Sequence, residues 1–474
     1  MKRKMTMKKL ALIGGGSVRT FYFVESLVKF HEELGIGSLS IMDNDPEKLN
    51  IFGGIGAYLV KKSGSKLEVT LTEDFTEAVT GADYVVTTLR VGQDEARCRD
   101  ERIALNMGLI GQETTGAGGF SYAVRTIPTI LEYMRIIKEK SNNATVFNFT
   151  NPSGLVTQAI VDAGYDNVIG ICDNATGIKI DLSNALKINA SEMVVGVYGL
   201  NHLSWANSVD IGGVDVLPRL MANEDFIRGF HQFDYFDRDL IRHLGEIPNG
   251  YLYYYYHRER ALKNLLEAPM SRGESIKAIN DKMMAELRKI DIDKEPERAI
   301  EVYRHFMHER EGSYMSIELG SGHQHFAPPD ADKLGIRELL GNRPFNEVYE
   351  GYAGVVFNYI DSVNHNKGID LAVSVANRGA IEGLADDDVV EVTCIIDKDG
   401  AHPMTFKNLP ESNMLLVHTI KRYEKLTVEA VKHKSRELAV EALTIHPLVG
   451  SYSLAKELVD QYSEANKPYI GEWK

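Results

Sequence analysis

A run of four apolar residues, Leu10-Ala11-Leu12-Ile13, breaks into Gly14-Gly15-Gly16-Ser17, after which apolar side chains return at helical spacing at Phe21, Val24, Leu27, Val28 and Leu34 until Gly35. A strand, a glycine turn and a helix are predicted. The alternation continues with a strand over 39–42 ending at Asp43, a helix from about Pro46, strands over 67–71 and 84–89, and a helix over 121–140. A strand over 145–149, a helix from Pro152, a strand over 168–171 and a helix after Asp173 complete the series. Short apolar strands separated by helices predict a parallel, doubly wound sheet. From about residue 195 the rhythm changes to hairpin-like segments, among them 389–396 turning at Asp397-Lys398-Asp399-Gly400, and to long amphipathic helices near 414–433 and 451–465. The expected fold is α/β. Residues 1–195 form a Rossmann-type domain and residues 196–474 an α+β domain packed against it, an architecture like that of lactate and malate dehydrogenases. No Pro/Gly/Ser-rich linker, internal repeat or low-complexity segment interrupts the chain.

Composition narrows the function classes. At 474 residues the chain exceeds one hydrophobic core, and 44% hydrophobic with 25% charged residues is ordinary for a globular enzyme. A net charge of −14 argues against nucleic acid or an anionic membrane surface as the main partner, but not against a small anionic substrate held by a few cleft residues. Three scattered cysteines, Cys98, Cys172 and Cys394, make no disulfide framework and suggest a reducing cytoplasm. The basic start Met1-Lys2-Arg3-Lys4 is followed by too short an apolar stretch for an export signal, and no apolar run approaches the roughly 20 residues that span a bilayer.

The glycine turn is the first candidate site. Gly14-x-Gly16 between strand and helix lets the backbone approach a pyrophosphate at the helix N-terminus, and Asp43, ending the second strand, stands where a carboxylate accepts ribose hydroxyls. Arg19 replaces the third glycine, and a plain tight turn is the alternative. Further along, Cys172 follows a predicted strand at the carboxyl edge of the sheet, and His202 lies in Gly199-Leu200-Asn201-His202. Together they are a possible thiolate and imidazole pair for a metal; separately they are a core cysteine and an ordinary histidine. Asp173 is either an acid or the cap of the next helix. Five tyrosines fall within six residues, Tyr251 and Tyr253 to Tyr256; most are packing residues, and one is a base if a cation lowers its pKa. Arg90 and Arg272 are not singled out by spacing.

These segments together resemble glycoside hydrolase family 4, the NAD- and divalent-metal-dependent glycosidases that include 6-phospho-α-glucosidases and 6-phospho-β-glucosidases. The resemblance runs through Gly14-Gly15-Gly16-Ser17, Leu89-Arg90-Val91-Gly92, Gly108-Leu109-Ile110-Gly111-Gln112-Glu113-Thr114, Asn148-Phe149-Thr150-Asn151-Pro152, Cys172-Asp173, Gly199-Leu200-Asn201-His202, Tyr251-Leu252-x-Tyr254-Tyr255 and Tyr423-Glu424-Lys425-Leu426-Thr427. It implies Cys172 and His202 as ligands of manganese(II), Asp173 as the acid that assists the leaving group, and Tyr251 as the base. It also implies Arg90, Asn151 and Arg272 as the grip on a phosphorylated sugar, and Gly14, Gly16, Ser17 and Asp43 as the NAD site. The implied reaction oxidises carbon-3 of the sugar with NAD, removes the acidified carbon-2 proton, eliminates the aglycone, adds water and returns the hydride, an exception to two-carboxylate glycoside hydrolysis. The implied substrate is a phosphorylated disaccharide or glucoside, and the implied assembly a homodimer or homotetramer.

Departures from the family bear on specificity. After Cys172-Asp173 the chain has Asn174-Ala175-Thr176-Gly177 where phospho-glucosidases usually carry a hydrophobic-proline pair, and Ala376-Asn377-Arg378-Gly379-Ala380 places an extra cation where relatives have Asn-Asn-Gly-Ala. Within the family an aspartate after the metal cysteine accompanies 6-phospho-α-glucosidases, so Asp173, with Trp205 pointing the same way, favours the α-linked substrate. The alternatives are the β-linked phosphosugar by the same chemistry, an unphosphorylated α-glycoside or uronide, a 2-hydroxy-acid dehydrogenase and a non-catalytic NAD sensor.

Overall fold

The computed structural model describes residues 7–312, 315–320, 334–336, 339 and 352–474; the basic start Met1-Lys2-Arg3-Lys4 lies outside them. Contacts divide the chain into two compact units, Met1–Ile169 with Asn264–Glu318 and Tyr423–Lys474, and Gly170–Lys263 with Leu319–Arg422.

The first unit holds strands β1 (Lys8–Ile13), β2 (Ile36–Met42), β3 (Glu68–Thr72), β4 (Tyr84–Thr87) and β5 (Thr145–Asn148). In β6 (Val168–Gly170) the chain passes into the second unit. Their order is β3-β2-β1-β4-β5-β6, and β1 pairs in parallel with both β2 and β4. This is the Rossmann order, reversing direction between β1 and β4. The turns after those two strands therefore bound the crevice where ligands bind in such sheets. The inner strands β1, β4 and β5 are largely apolar because both faces are covered, whereas the edge strand β3 is mostly exposed. Ala11, Ile13, Val85 and Val146 pack against Ile130, Met134 and Ile137 of the helix Gly116–Lys140.

A second core explains why residues beyond 195 belong to the first unit. Phe21, Phe52 and Ile55 bury against Met283, Leu287, Ile300 and Tyr303 of the helices Arg272–Leu287 and Pro296–Gly312. The helix Tyr452–Ile470 is tied in by Tyr462 Oη donating to the Asp100 carbonyl at 3.0 Å and Asn466 Nδ2 donating to Ser121 Oγ at 2.8 Å. Compactness thus follows side-chain packing and not chain order, and residue 195 lies inside a strand. The helix expected from 121 starts at Gly116, after Thr115 in extended conformation.

The second unit contains β7 (Met193–Leu200), β8 (Leu203–Ile211), β9 (Val214–Asp215) and β10 (Ile247–Pro248), paired antiparallel. It also contains the antiparallel strands β11 (Ile369–Ala376), β12 (Val389–Asp397) and β13 (Gly400–Pro403). The Asp397↔Gly400 pair makes the hairpin expected at that turn. Thr393 of β12 ties β7 down, its hydroxyl donating to the Val195 carbonyl at 2.6 Å and accepting from Val197 N at 2.9 Å. Among the described residues no helix is long and apolar enough to cross a membrane.

Candidate active site

In the first unit, Gly14, Gly16, Ser17, Asp43, Arg90 and Asn151 line one cavity of about 710 Å³, within the range of small-molecule and cofactor sites. Gly14 has φ +90°, and a Cβ there would sit 2.7 Å from the Thr88 carbonyl oxygen at the end of β4. A Cβ on Gly16 would sit 2.9 Å from the Asp43 carboxylate. Only glycine fits either place. The amides of Gly14 and Gly15 donate to the Met42 carbonyl, and that of Gly16 donates to Asp43 Oδ2 at 2.8 Å. The turn therefore fixes Asp43 at the cavity wall. What it offers an anion is the start of the helix Thr20–Phe30 and the side chain of Arg19, which replaces the missing glycine and also lines the cavity. Burial raises the Asp43 pKa, partly offset by the Asp45 and Gly16 amides.

Arg90 Nη1 donates to Glu113 Oε2 at 2.7 Å, and Arg97 shares that carboxylate at 2.8 Å. Burial opposes ionisation of Glu113, but the two guanidinium groups outweigh it and hold the carboxyl well below its usual range. Arg272 is not among the cavity-lining residues. It begins the helix Arg272–Leu287 behind a capping box of Ser271 and Glu274, and its Nη2 donates to the Arg310 carbonyl at 3.3 Å. Arg310, which sequence reasoning missed, lines the cavity. Burial first, then the Arg19 and Arg90 charges, bring its pKa down to about 10.

The second unit brings Cys172, His202, Tyr251 and Asp173 together. Cys172 is 6% exposed and precedes the helix Asp173–Leu186 as its N-cap residue, so Asp173 occupies the first helical position and not the cap. His202 forms, with Asn201, the turn between β7 and β8 and has φ +63°, an unfavourable conformation for a residue with a side chain. Cys172 Sγ and His202 Nε2 lie 3.5 Å apart. Two ligands at roughly 2.1–2.3 Å from one ion must be about 3–3.5 Å apart, so the pair fits a shared metal. Burial pushes the Cys172 thiol far above its usual range, with the Asp173 and Glu391 charges adding to it. A thiol so placed becomes a ligand when a cation compensates the thiolate. Among the described residues no group of three or more His, Cys, Asp or Glu side chains is arranged to hold a metal.

Tyr251 lies in the short helical turn Gly250–Leu252, with its ring stacked on His202 at a centroid distance of 3.8 Å and an angle of 6°. Tyr253 and Tyr254 are buried packing residues, and Tyr256 Oη accepts from Trp205 Nε1 at 3.2 Å. Trp205, taken from the sequence as a pointer to substrate, is fully buried and stacked on Tyr198; it packs the core. Arg378 is solvent-exposed beyond β11.

Comparison with known proteins decides the family. The family 4 glycosyl hydrolase model matches residues 9–188, and the C-terminal domain model of the same family matches residues 197–449. The chain belongs to glycosyl hydrolase family 4. This glycoside hydrolase is 33% identical to a probable 6-phospho-β-glucosidase of Bacillus subtilis, over 98% of each chain. It is similar to the 6-phospho-β-glucosidase of Thermotoga maritima solved with manganese, NAD⁺ and glucose-6-phosphate, at a TM-score of 0.78 and 28% identity, covering 98% of this chain and 100% of that one. A 6-phospho-α-glucosidase from gut microorganisms, solved with NAD and Mn²⁺, aligns at a TM-score of 0.79 and 25% identity, covering 99% and 100%.

Proposed function

We propose that the protein hydrolyses 6-phospho-β-glucosides in a reaction dependent on NAD and a divalent metal. The observation that carries the reading is the Cys172–His202 pair, spaced for one ion and stacked against Tyr251, in a chain alike over its whole length to an enzyme solved with manganese, NAD⁺ and glucose-6-phosphate.

When bound, NAD supplies reversible hydride acceptance from carbon-3 of the sugar, and the metal supplies Lewis-acid stabilisation of charge on the neighbouring oxygens. The residues of this chain do the rest. Asp43 accepts hydrogen bonds from ribose hydroxyls. Arg90 and Asn151 hold the substrate phosphate, assisted by Arg272. Tyr251 Oη takes the proton from carbon-2, which a ketone at carbon-3 has made acidic; a phenolate, with its conjugate acid near pKa 10, is a stronger base than a carboxylate near 4. Asp173 donates to the glycosidic oxygen as it leaves.

Overall similarity supports the β-linked substrate, at 33% and 28% identity to β-glucosidases against 25% to the α-glucosidase. A second reading, the α-linked substrate, is favoured by Asp173. That reading rests on a single residue, whereas the β reading rests on similarity along the whole chain. Paired α- and β-nitrophenyl glucoside 6-phosphates, with and without NAD⁺ and manganese, test the proposal. Cofactor- and metal-dependent release from the β substrate is expected, faster α release moves the assignment to the second reading, and release independent of NAD⁺ removes both.

A further inference from the structure

Next to the Cys172–His202 pair the second unit buries a carboxylate to which none of the roles above gives a use. Glu391, on β12, is 1% exposed, and its strand neighbours Val390 and Val392 are fully buried. Its Oε1 accepts from Asn201 Nδ2 at 3.0 Å, and its Oε2 accepts from Ser204 Oγ at 3.1 Å. Asn201, in the β7–β8 turn, and Ser204, near the start of β8, bracket His202.

The connections reach all three groups assigned to the metal and the base. The Asn201 side chain also hydrogen-bonds Cys172. Ser204 Oγ accepts from Asn249 Nδ2 at 3.3 Å, the Ser204 carbonyl accepts from Asn249 N at 2.9 Å, and Asn249 Oδ1 accepts from Tyr251 N at 3.0 Å. A carboxylate buried among neutral donors is costly, and an apolar residue would pack the strand without that cost. His202 meanwhile holds a left-handed conformation that persists only where surrounding structure enforces it. Glu391 meets that need by gripping the turn on both sides of the histidine.

We propose that Glu391 is a positioning residue that sets the aim of His202 and Cys172 toward the metal and of Tyr251 toward the sugar, through Asn201, Ser204 and Asn249. The proposal rests on the reading of Cys172 and His202 as metal ligands. Glu246 provides the control: it is also buried in the second unit, accepting from Tyr198 Oη and Asn413 Nδ2, each at 2.9 Å, but none of its partners belongs to the Asn201–His202 turn or to the Tyr251 turn.

The test titrates Mn(II) by the paramagnetic resonance of the free ion and follows the thiolate-to-cobalt absorption of Co(II)-loaded protein, which reports Cys172 in the coordination sphere. Glu391→Gln is expected to weaken Mn(II) binding by about 10- to 100-fold, as loss of a hydrogen-bond partner behind a ligand does, and to shift the cobalt band. Glu246→Gln is expected to keep the parent affinity and band. Binding by Glu391→Gln within about threefold of the parent with an unchanged band, or equal weakening by Glu246→Gln, overturns the proposal, judged against the larger loss typical of such partners. Should Glu391→Gln not fold, Ser204→Ala removes one of the two donors; weakened Mn(II) binding is expected, and parent affinity overturns the proposal. A Cys172→Ser protein that binds Mn(II) like the parent removes the metal-site reading itself, a different failure.

Discussion

At the residue scale, Tyr251 stacks on His202, so the base and metal-ligand roles proposed for them separate only in a substitution that keeps the ring. Tyr251→Phe is expected to keep Mn(II) affinity while kcat falls by about 10²- to 10⁴-fold, the usual worth of a positioned base, with solvent deuterium no longer entering carbon-2 of the sugar. Arg90 holds Glu113 through Nη1, and in the proposed function its guanidinium also meets the substrate phosphate. Arg90→Lys keeps the charge and loses the fork, so KM for phosphorylated substrate is expected to rise by about tenfold or more while thermal stability changes little. Cys172, His202 and Tyr251 were recognisable through their motifs, whereas their proximity was not, because 29 residues and then a further 48 separate them along the chain. Arg310 carried no signal: an arginine on an amphipathic helix looks solvated until the fold half-buries it at the cavity wall.

At the element scale, the first strand, glycine turn and helix were legible because apolar periodicity and glycine act locally. Gly14 and Gly64 show how local chemistry and long-range packing differ. Both have positive φ, but a Cβ on Gly64 meets nothing within 4 Å, while one on Gly14 meets the Thr88 carbonyl. Gly64→Ala is therefore expected to cost only about 1 kcal/mol of stability, from the backbone conformation alone. Gly14→Ala is expected to cost more and to abolish NAD⁺ binding, as read by calorimetric titration beside a thermal melt. The helix Gln93–Asn106 escaped sequence reading for a physical reason: its buried face carries Arg97, Asp100 and Glu101, paired to one another or to Arg125 and Glu113, so no apolar stripe marks it.

At the scale of the whole molecule, two buried groups, one in each unit, give stability opposite dependences on pH. His446 is pushed by burial down to about 3, so the unfolded chain takes up a proton below about 6.5 that the folded chain refuses. Its contribution is complete above 6.5 and is lost as pH falls toward 3, by about 2 kcal/mol at pH 5. Glu246 is pushed by burial up to about 7 from an ordinary value near 4.5, so its contribution is present below 4.5 and is lost as pH rises through 7. Denaturant unfolding across this range is expected to show His446→Gln closing its stability gap to the parent on acidification, and Glu246→Gln gaining on the parent by about 2 kcal/mol between pH 5 and 8. The sequence by itself determined the strand-and-helix rhythm, the glycine turn and the family, because periodicity, glycine and contiguous motifs are properties of neighbours along the chain. Only the tertiary structure decided that residues 264–318 and 423–474 belong to the first unit, that Trp205 is core, and that Glu391 bonds Asn201 and Ser204 on either side of His202. Those facts depend on which side chains fill the same volume, and close packing joins residues without regard to their separation in sequence.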